Sequence, residues 1–191
     1  MVKAYNANQL LARVKELQSF DGIPKGRWIL GVRSNEDKPN SFDDKFYVFD
    51  GEKFIMVLKG TTNPGTPTLQ QFEKVNKDGA AVLKHDQWYY NVWVFGKHHG
   101  KVPALLQLGA QVMVYRDIDK DNKSEQHGEL QTGYFGINFH PNTYKKNGKG
   151  GEVINWWSAG CQVVNDEKYW TLIDWFEKNQ HRVTYCLIKE F

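Results

Sequence analysis

The sequence predicts a mainly β fold with flanking α-helices, an α+β class. Three observations carry this. Short runs rich in β-branched and aromatic residues recur through the middle of the chain, separated by Gly, Pro, Asn and Asp. Apolar residues at helical spacing are confined to the two ends. Aromatic residues make up 14% of the 191 positions, which suits strands, a binding groove or both.

The first element is an expected amphipathic helix within residues 1–22. Leu10, Val14 and Leu17 share one face with Leu11 beside them, and Asn6 or Asn8 can cap it. Gly22, Pro24 and Gly26 end it. Strands follow at 28–32, 45–49 and 53–59, with Asp50-Gly51 a hairpin turn between the last two. Residues 61–82 read as a long polar connection, of the kind that often carries function. Further strands are expected at 89–95, 111–116 and 133–140. A mobile, basic flap is expected from His140 to Val153. Asp166 is an N-cap for a helix over 166–179, whose stripe is Tyr169, Leu172, Ile173 and Phe176. Residues 181–189 close the chain as a strand, with Cys186 in phase with Thr184 and Ile188 and structural. Without repeats or low-complexity linkers, 1–191 reads as one domain.

Two cysteines are too few for a disulfide framework or a multi-cysteine zinc site. A net charge of +3 without a dense basic run does not imply nucleic-acid binding. No window reaches the ~18 apolar residues of a spanning helix. The first twenty residues lack the apolar core of a signal peptide, so synthesis without a cleavable export signal is expected.

The region richest in chemistry runs from Gly136-Ile-Asn-Phe-His140 through the flap to Trp157-Ser158-Ala159-Gly160-Cys161. A strand ends in a histidine, and a small-residue turn carries a cysteine. An imidazole beside a thiol raises the thiolate fraction and later returns the proton to a leaving group. Gly160 lets a substrate backbone approach, and the turn's N–H groups can form an oxyanion hole. The plain alternatives are a buried, inert Cys161 and a satisfied surface His140.

This segment resembles the catalytic motif of the L,D-transpeptidase (YkuD-like) family: a strand ending in His140, a variable loop, then Ser158-Ala159-Gly160-Cys161. The apolar strand into Gly60, followed by Gly65-Thr66-Pro67-Thr68, is similar to an earlier family feature. The resemblance covers residues 27–165, leaves 1–22 and 166–191 as flanking elements, and implies a β-sandwich or barrel. It implies that Cys161 attacks a peptide carbonyl of a peptidoglycan stem peptide with His140 as base. The thioester is then resolved by an amine (cross-linking) or by water (carboxypeptidase or endopeptidase activity). Ala159 and Val163 stand where the family usually has a second His and a polar residue, and Pro141 where it has a small one. These departures bear on oxyanion geometry and acceptor specificity. They keep open a second reading: a relic serving as a phage virion-structural or wall-binding module. The expected lack of an export signal fits a phage-delivered enzyme better than a resident cross-linker.

Four other positions enter the expected site. Arg116 can clamp a carboxylate, or pair with Asp117 or Asp119. Tyr134 and Asn138 share the strand face of His140 and can orient the imidazole, as can a backbone carbonyl. Trp157 can wall a groove. Asp117, Asp119 and Asp121 alternate as in a calcium loop, but Asn122 holds the glycine place, and a solvated hairpin tip is the favoured reading. His98-His99 reads as a polar turn. No metal and no cofactor are expected.

Overall fold

The structure is a computed structural model that describes residues 1–179 and 182–191. It is mainly β, with helices near both ends. Helix α1 (Ala7–Lys15) starts at Asn6, whose side chain accepts from Gln9 N while Gln9 returns a bond to Asn6 N. This reciprocal cap satisfies two N–H groups that would otherwise lack partners. Strands β1 (Arg27–Arg33), β2 (Asp44–Asp50) and β3 (Lys53–Thr61) form a meander, and the expected Asp50-Gly51 turn joins the last two. Helix α2 (Thr66–Gln70) and β4 (Ala80–Leu83) come next, then β5 (Gln87–His98), β6 (Val102–Gln107) and β7 (Val112–Asp117). Strands β8 (Leu130–Gly133), β9 (Phe139–Pro141) and β10 (Gln162–Val164) follow, then α3 (Tyr169–Asn179) and β11 (Val183–Lys189).

Eight strands close a barrel in the order β1-β11-β5-β6-β9-β10-β3-β2, and β4-β7-β8 form a separate three-stranded sheet. The pairs β1/β11 and β9/β10 are parallel. The inner core joins Phe46, Val48, Trp93, Leu105, Phe139, Val164 and Tyr185 to the α3 residues Tyr169, Leu172, Ile173 and Phe176. A second core seals α1 on the outside, where Leu10, Leu11, Val14 and Leu17 meet Trp28, Trp88 and Cys186. No described helix is long and apolar enough to cross a membrane.

Several expectations are corrected. The connection 61–82 is not plain loop: it holds α2, a 3₁₀ turn at Phe72–Lys74 and β4. The strand expected at 133–140 is two strands, with 134–138 crossing between the sheets. Gly136 at φ +71° makes the break, a left-handed conformation that glycine adopts freely. Tyr134 and Asn138 therefore do not share a strand face. The helix expected from Asp166 starts at Tyr169, although Asp166 still accepts from Lys168 N at 3.0 Å. β11 begins at Val183, and position 181 of the expected strand lies outside the described residues. β11 also lies inside the barrel between β1 and β5, so the barrel extends beyond the 27–165 core.

Candidate functional site

Parallel pairing of β9 with β10 sets the site. Gln162 faces Phe139 and Val163 faces His140 across the register. Phe139 and Val164 point into the barrel core, so His140, Val163 and, two residues back, Cys161 share the outer face. Phe42 and Ile154 pack there with Val163, and Trp157 and Cys161 lie against that cluster. His140 is fully buried.

The turn before β10 is tightly built. Ser158 Oγ donates to Cys161 O at 2.8 Å and accepts from Gly160 N at 3.2 Å. Ser158 O in turn accepts from Gly65 N and from Thr68 Oγ1. Ser158 thus holds the cysteine turn against α2, and Gly160 N is engaged by a side chain. Gly160 sits at φ +128°, and a Cβ there would lie 2.6 Å from Ala81 O. Gly160→Ala combines a backbone conformation closed to side chains with a clash against backbone. The expected loss is about 2–4 kcal/mol in urea unfolding; a loss below about 0.5 kcal/mol would contradict the geometry.

Cys161 is half-buried and lines a cavity of about 320 Å³. The same cavity is lined by Arg116 and Tyr134, and by Thr68, Ala81 and Ile137. The structure therefore brings three of the expected site residues together. Arg116 is buried; its Nε donates to Gln131 Oε1 at 2.8 Å and its Nη1 to Gly79 O at 3.3 Å. Its guanidinium lies over the Phe135 ring. Arg116 makes no ion pair with Asp117 or Asp119. Tyr134 is 58% exposed at the mouth. Trp157 does not line this cavity; it sits in a 3₁₀ turn and lines a different one with Tyr144, Asn155 and Trp156.

The Cys161 thiol donates to Gly136 O at 3.3 Å, and burial pushes it up to about 11. His140 Nδ1 donates to Pro141 O at 2.9 Å, so its Nε2 carries the lone pair. That Nε2 is buried without a hydrogen-bond partner. Burial, then the neighbouring His98, lowers His140 to about 3. At neutral pH Cys161 is thus a thiol and His140 a neutral imidazole, and no hydrogen bond joins the two. A backbone carbonyl, not Tyr134 or Asn138, orients the ring. Asn138 instead accepts from Gln107 N at 2.8 Å through Oδ1 and donates to His98 Nδ1 at 3.2 Å.

Sequence reasoning missed His98, read as part of a polar turn. It is buried and stacks on His140 with ring centroids 3.9 Å apart. It also missed Gln107, whose Oε1 accepts from Phe135 N and Ile137 N. That side chain, with the Trp93 indole donating to Ile137 O at 2.7 Å, fixes the crossing that carries Gly136. A buried Gln in a strand gives no local sequence signal. Compared with protein-family models, curated proteins and solved structures, the chain matches none.

Proposed function

We propose that the chain is a cysteine acyl-transfer enzyme acting on peptidoglycan stem peptides, of an L,D-transpeptidase-like type. The observation that carries this reading is the cavity where Cys161 meets Arg116 and Tyr134. A cavity of about 320 Å³ is the size of a few amino-acid residues, within the usual range of ligand sites. The Arg116 guanidinium offers a positive end for a substrate carboxylate. The free Nε2 of His140 has the tautomer that a general base needs.

In the proposed step the Sγ proton passes to His140 Nε2 as sulfur attacks the scissile carbonyl carbon. The C–N bond breaks, the imidazolium returns the proton to the departing amine, and a thioester remains. Water resolves it to an acid, or an acceptor amine to a new amide, and free Cys161 is regenerated. The thiol must first leave Gly136 O. Substrate that displaces this contact and covers the cavity triggers the transfer between two groups that are neutral at rest. Phage delivery to the wall goes with this reading, and a water-resolved outcome suits it.

One observation favours the second reading, a wall-binding or virion module derived from such an enzyme: burial raises the thiol while His140 is held neutral. A muropeptide digest separates the two. Wild type is expected to remove a terminal D-amino acid or to join two peptides, read by mass spectrometry. Cys161→Ala is expected to abolish this, and His140→Ala to lower it about 10²–10⁴-fold. Identical product traces for wild type and Cys161→Ala would leave the binding reading standing.

A further inference from the structure

The segment joining β7 to β8 holds a second cluster, on residues that the proposed acyl transfer does not use. Asp117, the last residue of β7, is fully buried. Its Oδ2 accepts from Glu125 N at 3.0 Å, but its Oδ1 is buried with no hydrogen-bond partner. A buried carboxylate oxygen without a donor is costly, and native folds usually satisfy such an atom with a donor, a water or an ion. Asp119 and His127 reach the same point: each of the three residues offers a donor atom, and these atoms lie within 4.8 Å of one another.

The details fit a metal ion. His127 Nε2 stands 3.7 Å from Asp119 Oδ2, and two ligands about 2.1 Å from a tetrahedral ion are about 3.4 Å apart. The other ring nitrogen, Nδ1, lies 3.0 Å from Glu125 Oε2. A carboxylate on Nδ1 places the proton there and turns the Nε2 lone pair outward, the usual outer support of a metal-binding histidine. Asp119 Oδ1 accepts from Asp121 N at 3.0 Å, which leaves Oδ2 for the ion.

We infer that Asp117, Asp119 and His127 form a site for one divalent transition-metal ion of the zinc class, with Glu125 positioning the imidazole. Two carboxylates and an imidazole suit zinc or manganese, whereas calcium takes six to eight oxygens. The sequence pattern suggested oxygen ligands from Asp117, Asp119 and Asp121. The fold instead turns Asp121 Oδ1 back onto Lys123 N at 2.6 Å, and His127 fills the place. The ion would pin the β7–β8 connection to the strand end next to Arg116, so this metal expectation replaces the absence expected from sequence.

Titration calorimetry of chelator-stripped full-length protein with zinc, manganese and calcium chlorides tests this directly. The expected result is one zinc per chain, with calcium weaker than zinc. His127→Ala and Asp117→Asn are each expected to weaken zinc at least about tenfold, and Glu125→Gln about 10–100-fold. The His127 side chain is 46% exposed, so that variant tests binding without disturbing the core. Zinc bound equally by wild type, His127→Ala and Asp117→Asn would overturn the assignment. So would no stoichiometric binding of any ion, or calcium bound more tightly than zinc. Because none of these readouts uses Cys161, they stand whether or not the acyl-transfer proposal survives.

Discussion

Acidification from pH 7 to pH 4.5 is expected to destabilise the fold by about 3–5 kcal/mol through two stacked histidines. His98 and His140 lie ring on ring, both buried. Burial, then the neighbouring His99, lowers His98 to about 4, and burial, then His98, lowers His140 to about 3, against an ordinary 6.5. The sign follows from proton counts. Between the folded and unfolded values the unfolded chain binds more protons, so stability rises with pH up to about 6.5 and is lost as pH falls below it. Asp44 works the other way: burial, then the charge of Asp43, pushes it up to about 6. Over pH 4–6 the folded state binds more protons at Asp44, which offsets part of the loss. The comparison therefore needs a variant. Urea midpoints of wild type and His98→Phe at pH 7 and 4.5 isolate the His98 share, and His140 keeps the rest. A wild-type loss that the variant shares in full would show that His98 is not part of its origin.

Asp44→Ala is expected to cost about 3–5 kcal/mol, a large share of the roughly 5–15 kcal/mol that holds an ordinary domain folded. Asp44 opens β2 and is fully buried. Its Oδ1 accepts from Ser34 N at 2.7 Å, and its Oδ2 from Thr62 N at 2.6 Å and Thr62 Oγ1 at 2.7 Å. Thr62 is the relay to a cation. Its Oγ1 accepts from Arg33 Nε at 2.8 Å, and its carbonyl from Arg33 Nη2 at 2.9 Å. Removing the carboxylate strands two backbone donors and takes from the buried Arg33 the negative charge that acts on it most strongly. Thr62→Val should cost less, about 1–3 kcal/mol, since it breaks the relay but keeps both charges. Urea unfolding at pH 7 ranks the two; a cost below about 1 kcal/mol for Asp44→Ala would mean water replaces the network.

What the sequence made legible follows from local physics. The Asn6 cap, the Asp50-Gly51 hairpin and the stripe of α3 depend on neighbours a few residues away, and each stands as expected. β6 was not expected, since Pro103 breaks its apolar run and demotes such a segment in any local reading. The break at Gly136 was hidden because a glycine among apolar residues looks the same in a continuous strand and at a crossing. The site divided in the same way. Cys161, Arg116 and Tyr134 meet at one cavity because three separate elements converge there. His98 reaches His140 through the pairing of β5, β6 and β9, which no spacing along the chain records. Oδ1 of Asp117 was illegible for a related reason: whether a carboxylate has a partner depends on what covers it.

The position of β11 between β1 and β5 has a consequence for the order of events as the chain is made. Ile29 pairs with Tyr185, so the strand that emerges first must wait for almost the last. At about 5–20 residues per second the wait is roughly 10–30 s. Throughout it, one side of β1 presents unpaired backbone donors and acceptors along an apolar strand, the template on which chains associate with each other. Closing that seam brings together segments far apart along the chain, a slow kind of step. The vulnerable moment in this protein's life is therefore its synthesis. A ribosome stalled before residue 183 would release a sheet with an open edge.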